Sequence, residues 1–179
     1  MGEHRLDTIA MFALDEQVQR CEALLQATPD DAELRLWLAW SLRQRDSTRA
    51  LTLARGLREA WPEGAPAQAR RLLVEAECLL LEGRLDESEA LLSEALRRFE
   101  ACADARGCAD AHWLAYYLAA DRGDGPALQA SLQRAILHAR ACGDALRLLM
   151  MEASLARAEV MRDAAAAERD WAQRLPAAS

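Results

Sequence analysis

The stretch LLLEGRLDESEALLSEAL, residues 79–96, decides the fold. Leu79 and Leu80 end an apolar stripe that begins at Leu72, and Gly83 is the residue type that lets a chain leave a helix through the left-handed region. Asp86 and Glu87 then suit the first turn of a new helix, where free backbone N–H groups favour acidic side chains. A second stripe follows (Leu85, Leu91, Leu92, Ala95, Leu96, Phe99), with the small residues Ser88 and Ala95 placed where two helices would touch. The stretch therefore reads as two antiparallel helices joined by a tight turn.

The same rhythm extends in both directions. Upstream, Leu14, Val18, Cys21 and Leu25 mark an opening helix over about 13–27, with a short additional helix expected at 3–12. Leu34, Leu38 and Leu42 form the next stripe, then Ala50, Leu51, Ala54 and Leu57. Downstream come Leu114 and Leu118, then Leu128, Leu132, Ala135 and Ile136, then Leu146, Leu149, Met150 and Ala153. The β-branched residues that strands favour are scarce: three Val, two Ile and four Thr in 179 residues. Ala, Leu, Glu, Arg and Gln dominate instead, so the chain reads as all-α.

Two internal echoes show that the helices repeat. ARGCADA at 105–111 returns as ARACGDA at 139–145, a shift of 34 residues. LEGRLDESEALLSEA at 81–95 aligns with DRGDGPALQASLQRA at 121–135, a shift of 40 that superposes Gly83 on Gly123, Leu92 on Leu132 and Ala95 on Ala135. The expected architecture is one α-solenoid domain over 1–179. It has a helical N-terminal cap (1–28), repeats over about 30–62, 67–100, 109–142 and 144–175, and some eight or nine helices stacked so that each pair covers its neighbour's apolar face.

Residues 79–96 resemble the second half of a tetratricopeptide repeat, and LAWSLRQRDSTRALTLARGL at 38–57 looks like another copy, with Asp46 near the place of the turn glycine. The resemblance covers roughly 30–175. Its longer spacing, and RDSTRALTLAR in particular, is similar to the sensory repeats found ahead of diguanylate cyclase or LuxR-type output domains in bacterial signalling proteins. The resemblance implies a superhelix whose first helix in each pair lines a concave groove. By that analogy the groove-facing residues are Leu36, Trp40 and Arg43, then Arg70, Leu73 and Glu77, then Trp113, Tyr117 and Asp121, then Arg147 and Met151.

The composition narrows the chemistry. There is no lysine and no asparagine; all 22 basic residues are arginine. That excludes Schiff-base enzymes, P-loops and Ser–Lys nucleophile pairs, together with N-glycosylation. A net charge of −7 with Arg mixed among Asp and Glu argues against a nucleic-acid partner. The five cysteines are odd in number and contain no CxxC, which suits free thiols in a reducing, cytoplasmic setting. The longest apolar run, Trp113 to Ala120, has eight residues, too short for a membrane span, and the N-terminus lacks an apolar signal core.

Three motifs invite a sharper reading. Cys102, Cys108 and His112 are close, but C-x5-C-x3-H is no standard zinc pattern, and the echo replaces His112 with Leu146. Asp110 reads there as a helix N-cap. Arg122-Gly123-Asp124 spells an adhesion tripeptide but sits at a helix end. No GxSxG, HExxH or GxGxxG occurs, so neither catalysis, a metal nor a cofactor is expected. Five Trp against two Phe, with Trp40 and Trp113 off the strict core stripes, point instead to contact surfaces. The expected function is a protein-interaction or sensory module that binds a peptide or partner domain, a downstream output domain included, with homo-oligomerisation left open. The alternatives are a stand-alone scaffold or chaperone adaptor, and a small-molecule sensor.

Overall fold

The structure is a computed structural model that describes residues 11–174, with side chains through residue 166. Among these residues the chain is all-α, with eight helices: α1 (Asp15–Ala27), α2 (Ala32–Leu42), α3 (Ser47–Arg55), α4 (Pro66–Leu81), α5 (Leu85–Ala101), α6 (Ala105–Asp121), α7 (Gly125–Cys142) and α8 (Ala145–Arg174). The short helix expected at 3–12 falls mostly outside the described residues, and residues 11–14 are not helical.

The helix ends follow from local chemistry. Asp31, Asp46, Asp104 and Asp124 are N-caps, each accepting the backbone N–H three residues on: Leu34, Arg49, Gly107 and Ala127, at 2.8–3.0 Å. Pro66 and Pro126 fall in the first turns of α4 and α7, where no intrahelical N–H is lost. Helices α4, α5 and α6 close with one recurring turn. The N–H groups of Arg84, Asp104 and Asp124 reach back to the carbonyls of Leu79, Phe99 and Ala119, each at 2.9 Å. The preceding residue takes a positive φ: 75° at Gly83, 69° at Gly123 and 55° at Ala103, which stands where the other two turns have glycine.

Asp110 does not start a helix. Asp104 does, and Asp110 lies one and a half turns inside α6, buried. Where a fourth helix pair is expected at 144–175, residues 145–174 form one continuous helix, α8, with no Gly or Pro to interrupt it.

Each helix packs on the next along the chain, and α2, α4 and α6 also touch one another in succession. Small residues let the helices approach: Ala50, Ala54, Ala69, Ala76, Ala95, Ala111 and Ala135 are all fully buried. Ser88 is buried too, and its hydroxyl donates to the Ala76 carbonyl at 2.8 Å, tying α5 to α4. At the α5–α6 crossing Gly107 faces the ring of Phe99 so closely that a Cβ there would lie 2.2 Å from Cδ1. The main core runs through α1–α6, and a second cluster joins Trp113, Tyr116, Leu132, Ile136 and Met151 of α6, α7 and α8.

Candidate interaction surface

Helices α2, α4 and α6 touch in succession, and polar rungs join α2 to α4, α4 to α6 and α6 to α8. At the first rung, Arg43 caps α2 and donates from Nε to Glu77 Oε2 of α4 at 2.7 Å. Its guanidinium lies 3.6 Å from the centroid of the Trp40 ring, a cation–π contact. Gln44 also donates to Glu77, at 2.6 Å.

At the second rung, Arg70 of α4 donates to Asp110 Oδ2 of α6 at 2.6 Å, and its guanidinium stacks near both Trp40 and Phe99. At the third, Arg147 of α8 grips the same carboxylate: Nε to Oδ1 at 2.7 Å and Nη2 to Oδ2 at 3.0 Å. Arg147 also pairs with Asp144, which accepts its backbone N–H. Burial raises the proton affinity of Asp110, but the two guanidinium charges and their hydrogen bonds outweigh it and hold the carboxyl below its usual range. Burial opposes the charge of Arg147, yet Asp110 and Asp144 prevail and hold it firmly protonated.

Beyond the rungs, α6 presents aromatic side chains to α8. The Trp113 and Tyr117 rings meet edge-on, centroids 5.5 Å apart, and Tyr117 meets Tyr116 at 4.8 Å. Trp113 donates from its indole to Ser154 Oγ at 3.4 Å, and the exposed Arg157 donates to the Tyr116 hydroxyl at 3.0 Å. Phe12, Gln44, Trp113, Tyr117, Met150, Ala153, Ser154 and Arg157 surround a solvent-open hollow of about 280 Å³. A larger cleft of about 620 Å³ lies where the start of α7 faces the distal part of α8, with Tyr116, Leu128, Leu155 and the exposed Met161 on its walls.

The residues assigned to the groove therefore have different fates. Trp40, Arg43, Arg70, Leu73, Trp113, Arg147 and Met151 are buried, joined to neighbouring helices rather than facing solvent. Glu77 is mostly buried beneath Arg43 and Gln44. Leu36 is also buried but apart from the others, clustered with Leu57 and Ala67. Asp121 is exposed at the end of α6. Tyr117 is half-buried and is the one of these residues that lines the 280 Å³ hollow with part of its surface still accessible.

Arg157, Gln44 and Phe12, which complete the hollow, carry no sequence signal of their own. Asp110 does carry one: it follows Arg70 by 40 residues, the spacing of the longer echo. The first rung spans 34 residues, the spacing of the shorter echo.

The motifs considered for metal or adhesion chemistry have structural places. No group of three or more His, Cys, Asp or Glu among the described residues could hold a metal ion. His112 is buried and stacks on His138 with centroids 5.5 Å apart; burial first, then the charges of His138 and Arg134, bring its pKa down to about 4. Burial pushes the thiols of Cys78 and Cys108 up to about 12 and about 11, which disfavours the thiolate form. Arg122 pairs with Asp86 and Glu89 while Asp124 caps α7, so the Arg-Gly-Asp run ties one turn to another. No helix among the described residues is long and apolar enough to cross a membrane. Comparison of the chain with protein-family models, with curated proteins and with solved structures returns no match.

Proposed function

We propose that the chain is a non-catalytic interaction module, a solenoid of tetratricopeptide-like helix pairs whose inner layer receives an extended peptide or a partner segment. The observation that carries this reading is the hollow between α6 and α8. Trp113 and Tyr117 form its aromatic wall, and the exposed Arg157 and Gln44 supply hydrogen-bond donors at its rim. Aromatic anchors with arginine beside them are the side chains that contribute most where proteins meet. The polar rungs support the repeat reading, because they join residues 34, 40 and 37 positions apart, close to the spacing of the sequence echoes. In this reading the module belongs to a bacterial signalling protein, as its resemblance implies, and a bound segment is passed on as a change in the stacking of helices α2, α4, α6 and α8.

The test is affinity capture with the substitutions Tyr117→Ala and Arg157→Ala combined. Both side chains are at least partly accessible, so helical content by circular dichroism stays at the wild-type level. Partner capture falls by about tenfold or more, as expected for the loss of an aromatic anchor and a guanidinium. Capture at the wild-type level would contradict the assignment.

A further inference from the structure

The inner layer already carries a stretch of chain. Residues 11–14 precede α1 without helical structure and make the contacts of a bound peptide. The Met11 carbonyl accepts a hydrogen bond from Arg43 Nη2 at 3.0 Å. That guanidinium is positioned in advance: Nε is on Glu77, Nη1 donates to the Trp40 carbonyl at 2.6 Å, and its face rests on the Trp40 ring. A donor aimed at a main-chain carbonyl holds a segment whatever its side chains, and selection then falls to the pockets on either side.

Those pockets are occupied. The Met11 side chain is 1% exposed and belongs to the cluster of Trp113, Tyr116 and Met151. The Phe12 ring meets Trp113 edge-on at 6.5 Å, remains 41% exposed, and forms one wall of the 280 Å³ hollow. A non-helical segment beside a helix ordinarily runs over the surface. Here a methionine three residues before the α1 N-cap is buried among side chains of α6, α7 and α8, while α1 itself packs on α2.

We propose that Met11 and Phe12 are a built-in ligand of the inner layer, and that the partner is a non-helical peptide segment of the same pattern, a flexible apolar residue followed by an aromatic one, which displaces them. The inference rests on reading the inner layer as a peptide surface, and it adds the identity of the motif and a mode of control. A tethered segment competes at an effective concentration in the millimolar range. An outside peptide therefore binds the closed chain with an affinity reduced by the fraction of molecules in which the segment is released.

The test uses the full chain and a fluorescein-labelled peptide of residues 6–17, LDTIAMFALDEQ, read by anisotropy. The opened variant Met11→Glu with Phe12→Ala binds this peptide about tenfold or more tightly than wild type does. A control peptide carrying the same two changes does not bind. Equal affinity for opened and wild-type chains, equal binding of the control peptide, or no binding to an opened chain of wild-type helicity overturns the proposal.

Should the buried glutamate unfold the chain, Phe12→Ala alone replaces it, because that ring is partly on the surface. About a threefold gain is then expected from partial release, and no gain overturns the proposal. Partner capture that depends on Tyr117 combined with no peptide binding overturns the built-in ligand alone. Peptide binding with no partner captured overturns the interaction role alone.

Discussion

Arg147 of α8 and Asp110 of α6, 37 residues apart in sequence, meet in a doubly hydrogen-bonded pair at 2.7 and 3.0 Å, with side chains 0% and 3% exposed. Arg70 completes the site from α4, so a single carboxylate holds three helices together. Removing one member of a buried charge cluster leaves the others without compensation, at a cost of about 3–5 kcal/mol. Asp110→Ala is expected to lose that much stability in urea unfolding followed by circular dichroism. Combined with Arg147→Met, the total loss is smaller than the sum of the two single losses by about 0.5–3 kcal/mol, since the second change removes a charge that the first had stranded. Strict additivity would show that the pair does not couple α6 to α8.

A second prediction concerns the α5–α6 crossing. Alanine at Gly107 gains about 1 kcal/mol of helix propensity. Its Cβ, however, would stand 2.2 Å from Phe99 Cδ1 and 2.6 Å from an Asp104 carboxylate oxygen, and Phe99 is fully buried. Overpacking of this kind costs about 1–3 kcal/mol and also disturbs the N-cap of α6. Gly107→Ala is expected to lower the thermal midpoint; a raised midpoint would mean that the two helices are not so close.

The reverse substitution is expected to help four residues earlier. Ala103 holds φ at 55° in a turn whose two counterparts use Gly83 and Gly123. The left-handed region costs a residue with a Cβ about 1 kcal/mol or more. Ala103→Gly is expected to stabilise the chain by about 0.5–1 kcal/mol, the strain relieved being partly offset by the extra freedom of glycine in the unfolded chain. Denaturant titration measures it, and a loss of stability would contradict the shared-turn reading.

The pH response should carry the mark of His112. With its folded pKa near 4 against an ordinary 6.5, the unfolded chain takes up a proton in that window that the folded chain does not. Stability is therefore fully present above pH 6.5 and is lost as pH falls towards 4, by up to about 3 kcal/mol. His112→Gln, neutral throughout, is expected to flatten the decline between these values. Asp110, held below its ordinary 3.8, contributes its own loss only further down. An unaltered slope in the His112 variant would place the acid sensitivity elsewhere.

Most helix ends were legible because they depend on neighbours in sequence. Asp46, Gly83 and Gly123 act within one turn of themselves. The role of Asp110 was not, and the reason lies in the echoes. The 34-residue echo aligns Asp110 with Asp144, and Asp144 does cap its helix. The structurally equivalent cap is Asp104, 40 residues before Asp144, in step with Gly83 and Gly123.

The groove assignments were limited in a similar way. Helix register places Arg43, Arg70 and Arg147 on α2, α4 and α8, but whether a long side chain reaches solvent or the next helix depends on a partner 34–40 residues away. The place of Met11 was beyond reach, since periodicity says nothing about a non-helical segment lying on distant helices.

Site-specific photo-cross-linking tests the interaction surface most directly. Benzoylphenylalanine in place of Tyr117 puts the reactive group at the hollow, and the same residue in place of Leu137, exposed on α7, serves as the outer control. Irradiated in the source cell, the chain labelled at 117 is expected to give a discrete adduct that the chain labelled at 137 does not, and the adduct weakens when excess LDTIAMFALDEQ peptide is added to a Met11→Glu, Phe12→Ala chain in lysate. No adduct at 117, or the same adducts from both positions, would contradict the account.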